Sequence, residues 1–169
     1  MRIGITGHQR LPDPASWQWV EQGMNELLVA AQAPLVGISS LAAGADQLFA
    51  RAVLQHGGAL EVVIPFPGYE STFEEDRDRS EFNRMLELST KAETLEGHAA
   101  HEEAYFAAGK RVVDLSELVV AVWDHKPAAG LGGTADAVEY GLQQGKQIIH
   151  LNPITRTRRV LNRDKHSAP

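Results

Sequence analysis

Apolar residues follow two different spacings along the chain, and the two spacings alternate. Short, uninterrupted apolar runs predict strands at residues 2–6, 34–39, 60–66, 118–123 and 147–151. The less regular segment AETLE at 92–96 suggests a further short strand. Between these runs apolar residues recur every three or four positions, as Val20, Met24 and Leu27 do, which indicates one apolar face of a helix. Asp13 and Pro14 suit the start of the first helix, as its cap and its first residue. Further helices are predicted within 44–58, 74–89, 101–116 and 134–144.

The strand runs are apolar throughout instead of alternating between apolar and polar residues, which is typical of parallel strands covered by helices on both faces. Strands that alternate with helices predict an α/β fold, here a single-domain, doubly wound, mostly parallel, Rossmann-like sheet with helices on both faces. We expect this domain to span residues 1–152, followed by a basic C-terminal tail at 153–169. Such sheets bind ligands outside the carboxyl ends of their strands, so function is expected in the loops that follow strands.

The loop after the first predicted strand has the sequence TGHQR at residues 6–10. Gly7 permits a tight exit from the strand, and His8 and Arg10 lie beside it. We interpret this loop as one edge of an anion or nucleotide site, contacted by backbone amides and Arg10. A plain turn with exposed polar side chains is the alternative.

The loop after the second predicted strand places two hydroxyls, Ser39 and Ser40, before a helix that begins with small residues around Gly44. Small residues let a ligand reach the helix N-terminus, where free amides and the helix dipole favour phosphate. Asp46 is then a candidate acceptor for ribose hydroxyls. In the alternative interpretation Ser40 caps the helix and Asp46 complements its dipole.

The third loop, AGLGGTAD at residues 129–136, is the richest in glycine. The amides of Gly130, Gly132, Gly133 and Thr134 precede a helix and can form an anion-binding nest that is open to solvent. Close packing of a strand against a helix is the alternative. The letters also match a dinucleotide fingerprint, but the match lies in the last strand–helix unit and no acidic residue follows about 20 positions later, so we set it aside.

Two residues at the end of the fourth long apolar run, Trp123 and Asp124, are candidates for contact with a base and a ribose, respectively. A half-buried core tryptophan and a turn-forming aspartate are the alternatives. Tyr69 and Phe73, after the third predicted strand, are candidates for lining a base pocket. The mixed charges of residues 74–89 predict a solvated helix face.

Composition narrows the class of function. The 169 residues fit one domain, and the net charge of −6 argues against nucleic acid as a partner, because nucleic-acid binding needs a basic surface. The absence of cysteine excludes disulfides and fits a reducing compartment. No apolar stretch is long enough for a signal peptide or a membrane span, so we expect a cytoplasmic protein with no membrane partner. HAAHEE at 98–103 lacks the spacing of a zinc motif, and we predict no metal and no cofactor.

The segments GITGHQR, SSLAAGADQLFA, VVIPF, VAVWD and GGTADAVEYGLQQGK together resemble the SLOG superfamily over about residues 1–152. This superfamily joins DNA-processing protein A (Smf) with the LOG-type phosphoribohydrolases and the YpsA-like proteins, and the small YpsA-like branch is the most similar. The resemblance implies a Rossmann-like fold with a site for nucleotides or nucleotide-derived ligands. LOG relatives dimerise, so a homodimer is expected.

The LOG enzymes carry the motif Pro-Gly-Gly-x-Gly-Thr-x-x-Glu, which this chain matches only partly. Gly132, Gly133 and Thr134 align with its glycine–threonine part. Of the two acidic residues that the family uses, the first is replaced by Asp136 and the second by Ala137, and Glu139 comes two positions later. Arg10 is the nearest candidate for the catalytic arginine of that family. For phosphate binding and catalysis to coexist, Asp136 must point toward the sugar while the loop amides hold the phosphate.

Because the glycine loop is largely retained and the acid pair is not, the sequence favours a binding protein or sensor for a nucleotide-derived small molecule. The alternative is a LOG-like phosphoribohydrolase or N-ribosyl transferase that acts on nucleoside 5′-monophosphates through Asp136, Glu139 and Arg10.

Overall fold

The computed structural model describes residues 1–97, 100–127 and 131–162. Its strands are β1 (Arg2–Gly7), β2 (Val36–Ser39), β3 (Ala59–Ile64), β4 (Lys91–Thr94), β5 (Leu118–Val122), β6 (Gln147–Asn152) and β7 (Thr157–Leu161). Its helices are α1 (Pro14–Val29), α2 (Ala45–Gln55), α3 (Asp76–Leu88), α4 (His101–Leu115) and α5 (Thr134–Gln143), with a 3₁₀ turn at Tyr69–Thr72.

The seven strands form one sheet in the order β4-β3-β2-β1-β5-β6-β7. All pairs from β4 to β6 are parallel, and only β7 runs antiparallel to its neighbour. Ile3 of β1 is in register with Gly37 on one side and with Leu118 on the other. The predicted doubly wound α/β fold is therefore confirmed. The strand order reverses between β1 and β5, so a ligand site is expected above the carboxyl ends of these two strands.

Strand β5 shows why the strand sequences are apolar without interruption. Val120 and Val122 pack against the core under α1 and α2, whereas Val119 and Ala121 pack on the other face with Val138 of α5. Successive side chains of a strand point to opposite faces, so a strand between two helical layers needs apolar residues at every position. Helices α1, α2 and α3 cover one face of the sheet, and α4 and α5 cover the other.

The start of α1 forms as its sequence predicts. The carboxylate of Asp13 accepts a hydrogen bond from the backbone N–H of Ala15 at 3.0 Å, and Pro14 is the first helical residue. The capping side chain satisfies one of the helix's unpaired donors, and the proline needs no partner there.

The sheet continues past residue 152 into the segment that the sequence suggested was a separate basic tail. The side chain of Asn152 accepts hydrogen bonds from the N–H groups of Ile154 and Thr155, which turns the chain back for β7 to pair with β6. Leu161 is buried on the sheet face that α4 and α5 cover, while Arg158 and Arg159 lie exposed on the edge strand. Exposed charges on an edge strand hinder pairing with other strands. Residues 163–169 lie outside the described part of the chain.

Within the described ranges 1–97, 100–127 and 131–162, none of the helices combines the length and the apolar character that crossing a lipid bilayer requires.

Candidate ligand-binding cleft

A cavity of about 690 Å³ opens above the carboxyl ends of β1, β2, β3 and β5, at the point where the strand order reverses. Its volume falls in the range of roughly 300–1,000 Å³ that small-molecule sites occupy. We call it the cleft. Its lining includes predicted site residues from the strand-following loops, namely Gly7, His8, Arg10, Ser40, Asp46, Trp123, Asp124, Gly132, Gly133 and Thr134.

The glycines of these loops are required by packing within the protein. Gly44 has φ of +82°, and a Cβ there would lie 2.6 Å from the carbonyl oxygen of His8. Gly132 has φ of +87°, and a Cβ there would lie 2.7 Å from the backbone nitrogen of Phe106. A side chain at Gly7 would meet Ala45 at 2.6 Å. Their glycine identity is therefore explained without a ligand, although Gly7 and Gly132 still line the cleft. Gly130 lies outside the described residues.

His8 and Asp124 meet at the centre of the cleft, where β1 and β5 end. His8 Nε2 lies 3.1 Å from the carboxylate Oδ1 of Asp124 and 3.1 Å from its backbone nitrogen. Burial acts to raise the pKa of Asp124, but hydrogen bonds from Lys126 and the nearby His8 outweigh it and hold that pKa below its ordinary value. The pair joins two neighbouring strand ends and leaves His8 about one third exposed, with a side-chain exposure of 30%.

Groups of the protein itself occupy the start of α2. Asp46 is 6% exposed, and its Oδ2 accepts hydrogen bonds from the Ser39 hydroxyl and the Ser40 N–H, both at 3.2 Å. Burial raises the pKa of Asp46 to about 7, against the lowering effect of these hydrogen bonds. Gly44, and not Ser40, occupies the cap position, and the N–H of Ala45 donates to the carbonyl of His8. Capping by Ser40 is thus wrong, because the chain already turns at Gly44 to pack against the first loop.

The glycine loop before α5 is closed by its own carboxylate. Asp136 Oδ2 accepts hydrogen bonds from the N–H groups of Gly132 at 2.8 Å and Gly133 at 3.3 Å. The expectation that both amides are open to a bound anion is wrong for this arrangement, because a carboxylate of the protein occupies them. Asp136 also points back into the loop and not toward a sugar. Thr134 and Ala135 line the cleft beside it.

The three residues predicted for catalysis do not converge. Glu139 lies on the exposed face of α5, where its carboxylate accepts a hydrogen bond from Gln143, and it does not line the cleft. Arg10 does line the cleft, and its Nη2 lies 3.2 Å from Glu75 Oε1 and 2.9 Å from Asp78 Oδ2. A catalytic role for these residues stays a prediction.

Helix α3 has the expected solvated charged face, and Asp78 and Glu81 are its exceptions. Asp78 is only 5% exposed, and its Oδ2 makes no hydrogen bond within the described parts of the chain, although the Arg10 guanidinium is close. Glu81 is held by Arg51 and Arg84 through four hydrogen bonds between 2.9 and 3.2 Å. The helix carries acidic residues on its buried side because arginines of α2, α3 and the first loop accompany them.

Trp123 contacts residues of its own loop and of the adjacent strand β6. Its indole N–H donates to the carbonyl of Lys126 at 2.7 Å, and its ring lies 4.5 Å from the ring of His125 and 5.5 Å from that of His150. His150 is buried, which lowers its pKa. Trp123 still lines the cleft, so its stacking on a base stays a prediction.

Part of the cleft lining is aromatic. Tyr69, Phe73 and Tyr105 all line it, with ring centroids of Tyr69 and Phe73 5.3 Å apart and those of Tyr69 and Tyr105 6.2 Å apart. The sequence suggested Tyr69 and Phe73, whereas Tyr105 of α4 was not among its candidates. Sequence reasoning also missed Asp78 and Lys126 as lining residues. A lysine two residues after a strand-ending aspartate was the available signal for Lys126, and no comparable signal marked Asp78.

Within residues 1–97, 100–127 and 131–162, no group of three or more histidine, aspartate or glutamate side chains is arranged to hold a metal ion.

No protein-family model and no curated protein matches the chain. Solved structures share its fold. DNA processing protein A (DprA) from Streptococcus pneumoniae superposes with a TM-score of 0.66 at 17% identity, over 89% of this chain and 50% of that one. DprA from Helicobacter pylori, solved for its single-stranded DNA binding mode, gives a TM-score of 0.66 at 18% identity over 90% and 65%. A structural-genomics target, TM1055, gives 0.57 at 13% identity over 89% and 74%.

The Rossmann-like fold that the SLOG resemblance implies is confirmed by these neighbours, and membership of the SLOG superfamily and of its YpsA-like branch stays a prediction. The chain spans only half the length of one DprA and 65% of the other. The expectation that net charge argues against nucleic acid as a partner is wrong, because a protein of this fold binds single-stranded DNA. Net charge is a sum over the whole surface and carries no information about how charges are distributed locally.

Proposed function

We propose that the cleft binds a nucleotide-derived small molecule. The observation that carries this proposal is the position of the cleft, above the ends of β1 and β5, where loops from four strands bring polar and aromatic side chains together. Open α/β sheets bind their ligands at this position because the loops diverge there and leave a crevice.

The cleft lining combines groups that suit a phosphate with groups that suit a base. At the α5 end lie the Thr134 hydroxyl, the Lys126 ammonium and the first amides of the helix, which suit a phosphate. Lys126 is 3.2 Å from Asp124, and Asp136 already uses the Gly132 and Gly133 amides, so this end suits one phosphate better than several. The aromatic residues of the lining, Tyr69, Phe73 and Tyr105, suit a base.

Binding is favoured over cleavage by the same contacts. Asp136 is engaged by the loop, and Glu139 faces solvent on α5. Neither carboxylate is then placed to stabilise a positively charged ribose. The alternative function, hydrolysis or transfer at a ribosyl N-glycosidic bond, requires Asp136 to leave Gly132 and Gly133.

A calorimetric titration with nucleoside monophosphates tests the proposal, with chromatography of the mixture for freed base. We expect saturable binding without turnover, weakened roughly threefold to tenfold in Thr134→Val, since one hydrogen bond to a charged group is lost. Thr155→Val, in the exposed turn between β6 and β7, is the matched control and should bind like the wild type. Absence of binding by every monophosphate would overturn the proposal, and released base would favour the alternative.

Single-stranded DNA is a second candidate ligand, supported by the shared fold with a DprA whose structure concerns its binding mode for such DNA. The cleft cations Arg10 and Lys126 both lie against carboxylates, which is why we place a small molecule first. Fluorescence anisotropy of a labelled oligothymidine separates the two. DNA binding that monophosphates do not compete away would place the DNA elsewhere on the surface.

A further inference from the structure

The cleft lining contains a buried carboxylate, one oxygen of which makes no hydrogen bond within the described residues. We propose that this carboxylate, Asp78, recognises guanine, so that the ligand of the cleft is a guanine nucleotide. The inference rests on the proposed function and names the base.

Asp78 lies in the first turn of α3 and lines the cleft, yet its side chain is only 8% exposed. Its Oδ2 has no hydrogen-bond partner among the described residues. The Arg10 guanidinium, 2.9 Å away, balances its charge without hydrogen-bond geometry, and Arg77 is 3.7 Å from Oδ1. Buried acceptors are almost always satisfied in folded proteins, so an unsatisfied one at the wall of a cavity indicates a missing donor.

A carboxylate has two acceptor oxygens and is best matched by two parallel N–H donors. Guanine offers this pair on one edge, through N1–H and the 2-amino group. Adenine, cytosine and uracil each present a donor next to an acceptor on the corresponding edge, and an acceptor would be repelled by the second oxygen. Hypoxanthine keeps N1–H and lacks the amino group.

The group that lies beside Asp78 in the structure, the guanidinium of Arg10, also has two adjacent N–H donors. The guanidinium of Arg10 carries adjacent N–H donors on one carbon, the arrangement that guanine repeats between N1 and the 2-amino nitrogen. Arg10 Nη2 also lies 3.2 Å from Glu75 Oε1. The arginine can therefore stay paired with Glu75 while a base takes its place beside Asp78.

Aromatic rings flank this position. Tyr105 and Phe73 are half-buried and line the same cavity, and Phe73 packs at 5.3 Å against Phe82, one helical turn after Asp78. A flat base can therefore rest against aromatic surface while its edge meets Asp78. The 690 Å³ cavity is large enough for a nucleoside monophosphate.

Calorimetric titration of the full chain with GMP, IMP and AMP tests the inference without any mutation. GMP and IMP differ only by the 2-amino group, and we expect GMP to bind about tenfold or more tightly than IMP, because a bidentate contact is worth that much in discrimination. AMP is expected to bind no more tightly than IMP.

The variant Asp78→Asn replaces one acceptor oxygen by a donor amide, and the preference for GMP over IMP should fall to less than about threefold. Asp76→Asn makes the same change on the exposed side of the same helical turn, and there the preference should be kept. Equal affinity of the wild type for GMP and IMP, or a preference unchanged in Asp78→Asn, would overturn the assignment of guanine while leaving nucleotide binding intact. Absence of binding by all three nucleotides would overturn the proposed function itself.

Discussion

Two helices begin at the cleft after a run of small residues, α2 after β2 and α5 after β5, and the sequence suggested a phosphate site at both. In each, the structure shows a carboxylate of the helix that accepts hydrogen bonds from the residues just before it. Asp46 of α2 turns back to Ser39 and Ser40, and Asp136 of α5 turns back to Gly132 and Gly133. In both, a carboxylate of the protein takes the place that an anion would have.

The two helix starts differ in burial. Asp46 is 6% exposed and packs beneath the first loop, whereas Asp136 is half-buried beside Gly132 and Gly133, which line the cleft. A ligand can reach the start of α5 by displacing one side chain, but the start of α2 is closed by backbone contacts to His8 and Gln9. Glycine and small residues before a helix therefore indicate that other atoms pack closely against the backbone there. Only the tertiary structure shows whether those atoms belong to the protein or to a ligand.

The largest expected effect comes from breaking the backbone contact at the start of α2. Gly44→Ala places a Cβ 2.5 Å from the Gln9 carbonyl oxygen at a φ of +82°. We expect the free energy of unfolding to fall by about 4 kcal/mol, through strain and displacement of the first loop. Gly57→Ala has a similar φ of +71° and open space around it, so its loss should be about 1 kcal/mol. Chemical denaturation measures both, and equal losses would contradict the packing explanation.

The buried carboxylate of α2 predicts a pH dependence of intermediate size. Because the folded pKa of Asp46 is about 7, well above the ordinary value of 3.8 for an aspartate, the folded state favours the protonated form. Its contribution to stability is fully present below pH 3.8 and is lost as pH rises through 7. We expect the free energy of unfolding to decline by about 2 kcal/mol between pH 5 and pH 7 from this residue, on the basis of proton linkage.

Asp46→Asn removes the titrating group and should flatten that part of the stability profile measured by denaturation in a pH series. Asp114→Asn, on the surface of α4, is the control and should leave the profile as it is in the wild type. A wild-type stability that is constant or rises over this interval, or a decline that Asp46→Asn retains, would show that Asp46 does not carry it.

The smallest effect concerns the start of α5. Asp136→Ala removes the partner of two amides, and we expect a loss of about 1 kcal/mol in the free energy of unfolding, as for other helix caps. The freed amides should strengthen binding of inorganic phosphate or GMP several-fold by calorimetry. Glu139→Ala, on the exposed face, should change stability by less than about 0.5 kcal/mol and leave binding unaltered. Weaker binding in Asp136→Ala would show that Asp136 assists the ligand instead of competing with it.

Much of the fold follows from sequence because local patterns constrain it. Uninterrupted apolar runs predicted β1, β2, β3, β5 and β6, the short segment at 92–96 predicted β4, and Asp13 with Pro14 predicted the start of α1. Strand β7 was missed because its residues 157–161 are rich in arginine, and only Leu161 of the strand is buried. Asp78 was missed because the helical pattern of α3 does not reveal that Arg10, 68 positions earlier, accompanies it.

The sequence by itself determined that this chain forms a layered α/β sheet with its functional loops at one edge, because hydrophobic periodicity and strand–helix alternation are properties of neighbouring residues. Only the tertiary structure decided which polar groups at that edge remain for a ligand. That outcome depends on distances between residues far apart in the chain, such as His8 with Asp124 and Arg10 with Asp78. A hydrogen bond or an ion pair depends on ångström-scale geometry, which residue spacing along the chain does not encode.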